Sequence, residues 1–401
     1  MTQPDSAVFD KAAQILDAFQ IEIPSWGFAN TGTRFGKFVQ PAAASTLEEK
    51  FSDAAEVHRL TGATPTLALH VQWDLPRGLA DVSELQGLER RTAIRSGSIN
   101  PNIFQDQQYK FGSLCNPSAE IREHALQHII DSIEIAKQLR CRDISPWIAD
   151  GSNYPGTQSI RRRIEWLEEA LHTAHGHLAP DQRLLIEYKP FEPAFYHTDV
   201  ADWGMSSHLC QSAGPQAFVL VDTGHHYLAQ NIEQIVAWLL HLDLLGGFHF
   251  NDRRYADDDL TLGSIDPYQV FRIFHELLED QHSSKSQDPM HAVAFMIDQS
   301  HNLKGKVEAM VQTVMTAQEI WLKAALADRE RLAGLQQSCD LVAAEELFRN
   351  AFWRDVKPML AAWREARGLP ADPLSALHEG GYVARITRER ASKQTAVASY
   401  A

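Results

Sequence analysis

The run Leu184-Leu-Ile-Glu-Tyr-Lys189, together with Ala217-Phe-Val-Leu-Val-Asp222, Gly247-Phe-His-Phe-Asn251 and Ala292-Val-Ala-Phe-Met-Ile-Asp298, decides the fold. Each is a short apolar stretch rich in β-branched or aromatic residues, the signature of a strand buried on both faces. An earlier run, Thr66-Leu-Ala-Leu-His-Val-Gln-Trp73, has the same character. Between the runs lie amphipathic helical patterns, at Ala119 to Leu139, Ile160 to His172 and Ile232 to Leu242. Strand alternating with helix implies a parallel sheet. The alternation extends from about Ile21 to Met315, the span of an eight-fold β/α (TIM) barrel. Its rival is a doubly wound sheet, and no Gly-rich phosphate loop follows any strand to favour a nucleotide-binding version of it.

Outward from this region, apolar positions Val8, Ala12, Ile15, Leu16 and Phe19 predict a first helix. Ser45 and Glu48 predict the capping box of a second. Strands between Thr92 and Asp150 are placed only loosely by their pattern. From Val307 to about Arg367 the pattern is helical, so the chain divides into a catalytic barrel, residues 1–306, and a helical extension with tail, residues 307–401. Gly368 to Ala401, mixing Pro, Gly, Ser and Arg, predicts a frayed end, and His282 to Ser286 an exposed connection.

The chain has 401 residues, 44% hydrophobic and 22% charged, a globular composition with room for a large core. Its 37 basic and 52 acidic residues give a net charge of −15, an unfavourable field for a nucleic acid. Four scattered cysteines form no disulfide framework, which fits a reducing cytoplasm. Met1 to Asp10 does not read as a signal peptide. The apolar stretch Ile235 to Phe250 is broken by His241 and Asp243, so no membrane span is expected.

Function is written at the ends of the strands. Glu187, Asp222, His249 and Asp298 each stand at or near the end of an apolar run, separated by 35, 27 and 49 residues, about one βα unit per gap. In a barrel the carboxyl ends of the strands converge on one mouth, so four side chains able to bind a metal would meet there. Singly, each has a bland reading as a helix cap or ion pair. A second set lies nearby: Lys189, two residues after Glu187 and on the same strand face, His225, and the acidic pair Asp257 and Asp259. Oxygen-rich ligands with an imidazole favour Mn²⁺, Mg²⁺ or Co²⁺, with Mn²⁺ first, over structural zinc.

The segments Ile186-Glu-Tyr-Lys-Pro190, Val221-Asp-Thr-Gly-His225, Gly247-Phe-His-Phe-Asn-Asp252 and Met296-Ile-Asp-Gln-Ser-His301 resemble the metal-binding segments of xylose-isomerase-like barrels. With Leu69-His-Val-Gln-Trp-Asp74, Trp147-Ile-Ala-Asp-Gly-Ser-Asn-Tyr-Pro-Gly156 and Thr33-Arg-Phe-Gly-Lys37, they most resemble bacterial L-rhamnose isomerases of the Pseudomonas type. The resemblance covers roughly Ile21 to Leu303 and is specific in combination. Histidine at 249 and aspartate at 222 depart from ordinary xylose isomerases and point to the rhamnose branch.

That resemblance implies an aldose-ketose isomerase interconverting L-rhamnose and L-rhamnulose with two divalent ions. The first is held by Glu187, Asp222, His249 and Asp298; the second shares Glu187 and adds His225, Asp257 and Asp259. Lys189, His70, Asp257 and Asp259 become the catalytic groups, Lys189 at the carbonyl oxygen of carbon 1 and His70 near the ring oxygen or the anomeric hydroxyl. His70, Trp147, Lys189, His225 and Phe35 would touch the sugar, Phe35 from a neighbouring subunit of a homotetramer. Asn153, Tyr154 and His301 would orient ligands from behind. The rival readings are an isomerase or epimerase of another sugar, a metal-dependent endonuclease, disfavoured by the net charge, and a non-catalytic sugar-binding barrel.

Overall fold

The computed structural model describes residues 6–30, 39–191, 196–280, 288–300 and 303–391. Phe35, His301 and the connection 282–286 lie outside the described residues.

Eight strands hydrogen-bond in chain order, all parallel: β1 (Ile23–Pro24), β2 (Thr66–His70), β3 (Arg95–Asn100), β4 (Asp143–Ile144), β5 (Arg183–Glu187), β6 (Ala217–Asp222), β7 (Leu245–Phe250) and β8 (Ala294–Ile297). A parallel bridge between Glu22 and Met296 joins the last strand to the first, with Glu22 N–H donating to Phe295 O at 2.8 Å. The sheet is therefore a barrel, which removes the doubly wound alternative.

Helices α1 (Ser6–Ala18), α2 (Leu47–Thr61), α3 (Val71–Asp74), α4 (Val82–Thr92), α5 (Ala119–Leu139), α6 (Ile160–His175), α7 (Trp203–Ala213), α8 (Ile232–His241), α9 (Pro267–Asp280) and α10 (Lys306–Ala325) surround it. The main core fills the layer between strands and helices. Helix α10 packs between α9 and α2, completing the outer ring beside β8. No helix among the described residues is long and apolar enough to cross a membrane.

Several local expectations are corrected. The capping box of α2 is Thr46 with Glu49, one residue later than the Ser45/Glu48 pair: Glu49 N–H donates to Thr46 Oγ1 at 3.2 Å. The run Thr66–Trp73 is a strand only to His70; then Asp74 Oδ2 accepts from His70 N–H at 2.9 Å and the chain turns into α3. The stretch expected to fray from Gly368 carries helices as far as Arg390, and residues 392–401 lie outside the described residues. After α11 (Arg329–Gln337), α12 (Leu341–Trp353) and α13 (Lys357–Ala366) come α14 (Pro373–Glu379) and α15 (Tyr382–Arg390). Asp53 anchors α15 by accepting from Arg390 Nη1 and Tyr382 Oη, each at 2.8 Å, in a buried setting.

Alternation along β5 to β8 sends Leu185 and Glu187, Leu220 and Asp222, and Met296 and Asp298 to one face. Leu185, Phe218, Leu220 and Met296 form a separate apolar cluster inside the barrel, and the ionisable residues stand above it. At the foot of the barrel the fully buried Arg183 donates to Asp143 Oδ1 at 2.7 Å, Met290 O at 2.8 Å and Gly246 O at 3.1 Å.

The β6–β7 ladder contains a bulge. Val219 pairs with Leu245 but Leu220 pairs with Gly247, so Gly246 is an extra residue and Asp222 comes to face His249. Without that insertion Asp222 would face Phe248, and His249 would turn to the opposite side of the sheet. Only glycine fits, because a Cβ at 246 would lie 2.5 Å from both Leu185 Cδ2 and Phe218 Cβ. Gly246→Ala is expected to lower the free energy of unfolding by about 1–3 kcal/mol through overpacking, measured by urea denaturation. An unchanged midpoint would remove the steric account of the bulge.

Candidate active site

Glu187 ends β5, Asp222 ends β6, His249 lies one residue before the end of β7, and Asp298 directly follows β8. The closed barrel brings one ligand atom of each within 4.8 Å of the others. Glu187 reaches between two imidazoles, its Oε1 3.1 Å from His225 Nδ1 and its Oε2 3.3 Å from His249 Nδ1. The outer oxygens are held from behind: Asp222 Oδ1 accepts from Gly224 N–H at 2.6 Å and Asn251 Nδ2 at 2.9 Å. Asp298 Oδ1 accepts from Trp26 Nε1 at 2.7 Å.

In a second group, Asp222, His225 and Asp257, one ligand atom of each again lies within 4.8 Å of the others, so Asp222 is common to both. Lys189 Nζ donates to Asp257 Oδ2 at 2.6 Å, and His225 Nε2 lies 3.3 Å from the same oxygen. Asp259 lines the cavity but stands outside this group, accepting from Ser300 Oγ at 3.0 Å. Its loop is clipped at the base by Asp252 and Leu260, whose N–H groups donate to each other's carbonyls at 3.0 and 2.9 Å. Asn153 and Tyr154 do not line this cavity.

The cluster's electrostatics are those of acids balanced by internal cations. Burial pushes the Glu187 carboxyl up, but His249 and His225 pull it below the usual carboxylate range. Burial disfavours the charged form of both histidines, and the carboxylates more than reverse this, raising His249 through Glu187 and His225 through Asp222 and Asp257. Burial raises Asp222 and Asp298.

A divalent ion fits these residues. Asp222 Oδ2 and His249 Nε2 are buried and have no hydrogen-bond partner among the described residues, a state rare for buried polar atoms unless something binds there. Carboxylate and imidazole donors suit a hard or borderline cation. Its binding would displace the protons that the histidines hold.

Lining the same cavity of about 330 Å³ as the cluster is an aromatic wall of Trp26, His70, Trp73, Phe104 and Trp147. Ring centroids lie 4.7 Å apart for Trp26 and His70, 4.2 Å for His70 and Trp73, and 4.8 Å for Phe104 and Trp147. Lys189 Nζ sits 5.3 Å from the centre of the Trp147 ring. Sequence reading named His70 and Trp147 but missed Trp26, Trp73 and Phe104. Trp26 and Phe104 follow β1 and β3, whose ends the apolar pattern did not mark; an aromatic just after a strand was the available signal. The arrangement can bind a small polyhydroxylated molecule between a polar and an apolar face and polarise one of its oxygens.

Residues 67–282 match the xylose isomerase-like TIM barrel family. The chain belongs to that family. This xylose isomerase-like chain is 38% identical over 93% of its length to a probable sugar isomerase of Rhizobium meliloti, of which it covers 86%. It is 39% identical over 94% of its length to a probable sugar isomerase of Mesorhizobium japonicum, of which it covers 87%. Among solved structures, an L-ribulose 3-epimerase superposes with a TM-score of 0.52 at 14% identity, over 79% of this chain and 97% of that one. A D-allulose 3-epimerase from Methylomonas sp. gives 0.54 at 12%, over 74% and 95%. At such identities the likeness is one of fold.

Burial lowers the His70 pKa to about 3, with Asp74 opposing only in part, so the imidazole is neutral at physiological pH. The unfolded chain takes up that proton near its ordinary value of 6.5. Between those values the unfolded state binds more protons, so the stability tied to neutral His70 is present above about pH 6.5 and lost as pH falls toward about 3. His70→Asn should therefore show a shallower fall in urea midpoint than the parent across that window. Parallel curves would mean that His70 titrates normally in the folded protein.

Proposed function

We propose that this chain is a metal-dependent aldose-ketose isomerase that interconverts L-rhamnose and L-rhamnulose by transfer of hydrogen between carbons 2 and 1. The observation that carries the reading is the meeting of Glu187, Asp222, His249 and Asp298 at a pocket that Lys189 and an aromatic wall also line. The probable sugar isomerases among its relatives support the reaction class.

In this reading Glu187, Asp222, His249 and Asp298 would hold one divalent ion, and Glu187, His225, Asp257 and Asp259 a second, Mn²⁺ before Co²⁺ or Mg²⁺. Such ions supply positive charge that orients neighbouring sugar oxygens and polarises the carbonyl. Lys189 donates a hydrogen bond to the oxygen on carbon 1, where negative charge develops. Neutral His70 hydrogen-bonds at the ring oxygen and assists opening of the chain. Proton balance requires the hydroxyl on carbon 2 to lose a proton as the oxygen on carbon 1 gains one; we assign that transfer to Asp257, which contacts Lys189, and Asp259. The aromatic wall excludes water and covers the methyl group of a 6-deoxy sugar, which presents apolar surface where a hydroxyl would need a polar partner. The corresponding assembly is a homotetramer, checked by sedimentation equilibrium.

The deciding experiment assays a panel of aldoses on protein stripped with chelator and on the same protein resupplied with Mn²⁺. Metal-restored turnover of L-rhamnose is expected, favoured over L-mannose by about 1–3 kcal/mol in kcat/KM. Turnover indifferent to chelator, or a preference for L-mannose, overturns the reading. Glu187→Gln should abolish activity at every accessible metal concentration.

Lys189→Met should lower kcat by roughly 10² to 10³ while retaining bound metal, measured by elemental analysis alongside the rate. Near-parent turnover would make the lysine a structural partner of Asp257.

A further inference from the structure

Two polar atoms on the aromatic side of the pocket find no hydrogen-bond partner among the described residues. They are Ser145 Oγ and Trp147 Nε1, both buried, and their residues line the cavity. Ser145 as a whole is 2% exposed. The backbone fixes where they sit. Ser145 follows β4 directly and its N–H donates to Ile99 O at 2.9 Å, continuing the ladder to β3. Trp147 forms a parallel bridge with Glu187. Two residues apart on an extended segment, they share a face, with Pro146 turned to the other.

A buried hydroxyl or indole N–H without a partner is costly, and folded chains keep few of them. A serine hydroxyl both donates and accepts, whereas an indole only donates. The complementary group is a ligand hydroxyl, able to accept from Trp147 and to exchange a hydrogen bond with Ser145. Neither residue carries charge, and the bridged Glu187 makes this edge of the pocket unsuited to an anion.

We propose that Ser145 and Trp147 form a hydroxyl subsite that reads the group on carbon 3 or carbon 4 of the open-chain sugar and so decides which epimers are accepted. The proposal deepens the isomerase reading and rests on it for the nature of the ligand. In that reading carbons 1 and 2 engage Lys189 and the carboxylate side, the oxygen on carbon 5 meets His70, and carbon 6 carries no hydroxyl. The groups on carbons 3 and 4 remain for this edge.

The test compares metal-loaded parent, Ser145→Ala and Trp147→Phe on L-rhamnose and on its 3-deoxy and 4-deoxy analogues. Ser145→Ala should lower kcat/KM on L-rhamnose by about tenfold, the usual worth of one hydrogen bond. On the one analogue that lacks the recognised hydroxyl, the effect of either substitution should shrink to about one. Equal losses on all three sugars overturn the proposal and leave Ser145 a packing residue. L-Rhamnitol, which has no carbonyl to isomerise, gives a readout independent of turnover: calorimetry should show about tenfold weaker binding to Ser145→Ala, and unchanged binding overturns the subsite. If the parent isomerises no aldose, the reaction assignment falls while the rhamnitol titration still decides the subsite.

Discussion

Four carboxylates, Glu187, Asp222, Asp257 and Asp298, crowd the mouth of the barrel, and their mutual repulsion is the constraint that the surrounding structure answers. Like charges in a partly water-free space raise one another's proton affinity and push apart unless cations or fixed dipoles intervene. This chain supplies both. Lys189 and the two histidines stand among the acids as positive groups, and Gly224 N–H, Asn251 Nδ2 and Trp26 Nε1 grip oxygens from behind. What remains is a set of acids held in place with further charge demand facing the cavity. That is the condition of a site prepared for an added cation.

The aromatic wall is secured by a comparable device at one remove. Asp74 is buried and accepts from Lys50 Nζ at 2.5 Å, Ser25 Oγ at 2.6 Å and His70 N–H at 2.9 Å, tying α2 and the segment preceding Trp26 to the end of β2. The segment after Trp147 is pinned by Asp150, which accepts from Ser113 N–H and Cys115 N–H, each at 2.7 Å. Beside it, Arg163 pairs with Asp199 at 2.7 Å. Removing one member of such a buried pair strands a charge, so these acids act on the site by immobilising its rings. Charged groups outside the pocket thus fix the segments that carry its apolar face.

The parts legible in the sequence were those where local pattern and tertiary role coincide. Strands β5 to β8 are long apolar runs that end in Glu, Asp, His and Asp, so both the strand and its functional tip can be read along the chain. Strands β1 and β4 have only two residues each and leave no periodicity to read, which hid Trp26. The bulge at Gly246 exists only as a mismatch between two strands; no single segment encodes it, yet it sets the register of His249. The last two helices escaped because their punctuation looked like disorder. Asp372 and Pro373 are the cap and first residue of α14, and Gly381 adopts a left-handed conformation at φ 67° to begin α15. Which acid stands nearest which imidazole is likewise set by distances between strands, which no single segment displays. Asp222 is common to both close groups, while Glu187 spans the two imidazoles.

The layer beneath the site bears on how the acids are held. Arg183, locked to Asp143 and to the carbonyls of Met290, Ala292 and Gly246, lies beneath the apolar layer of Leu185, Phe218, Leu220 and Met296. Leu185, Leu220 and Met296 stand two residues before Glu187, Asp222 and Asp298 on the same strand faces. A change of volume in that layer is therefore transmitted along three strands at once to three acids, and the apolar floor works as a levelling course for the charged tier above it.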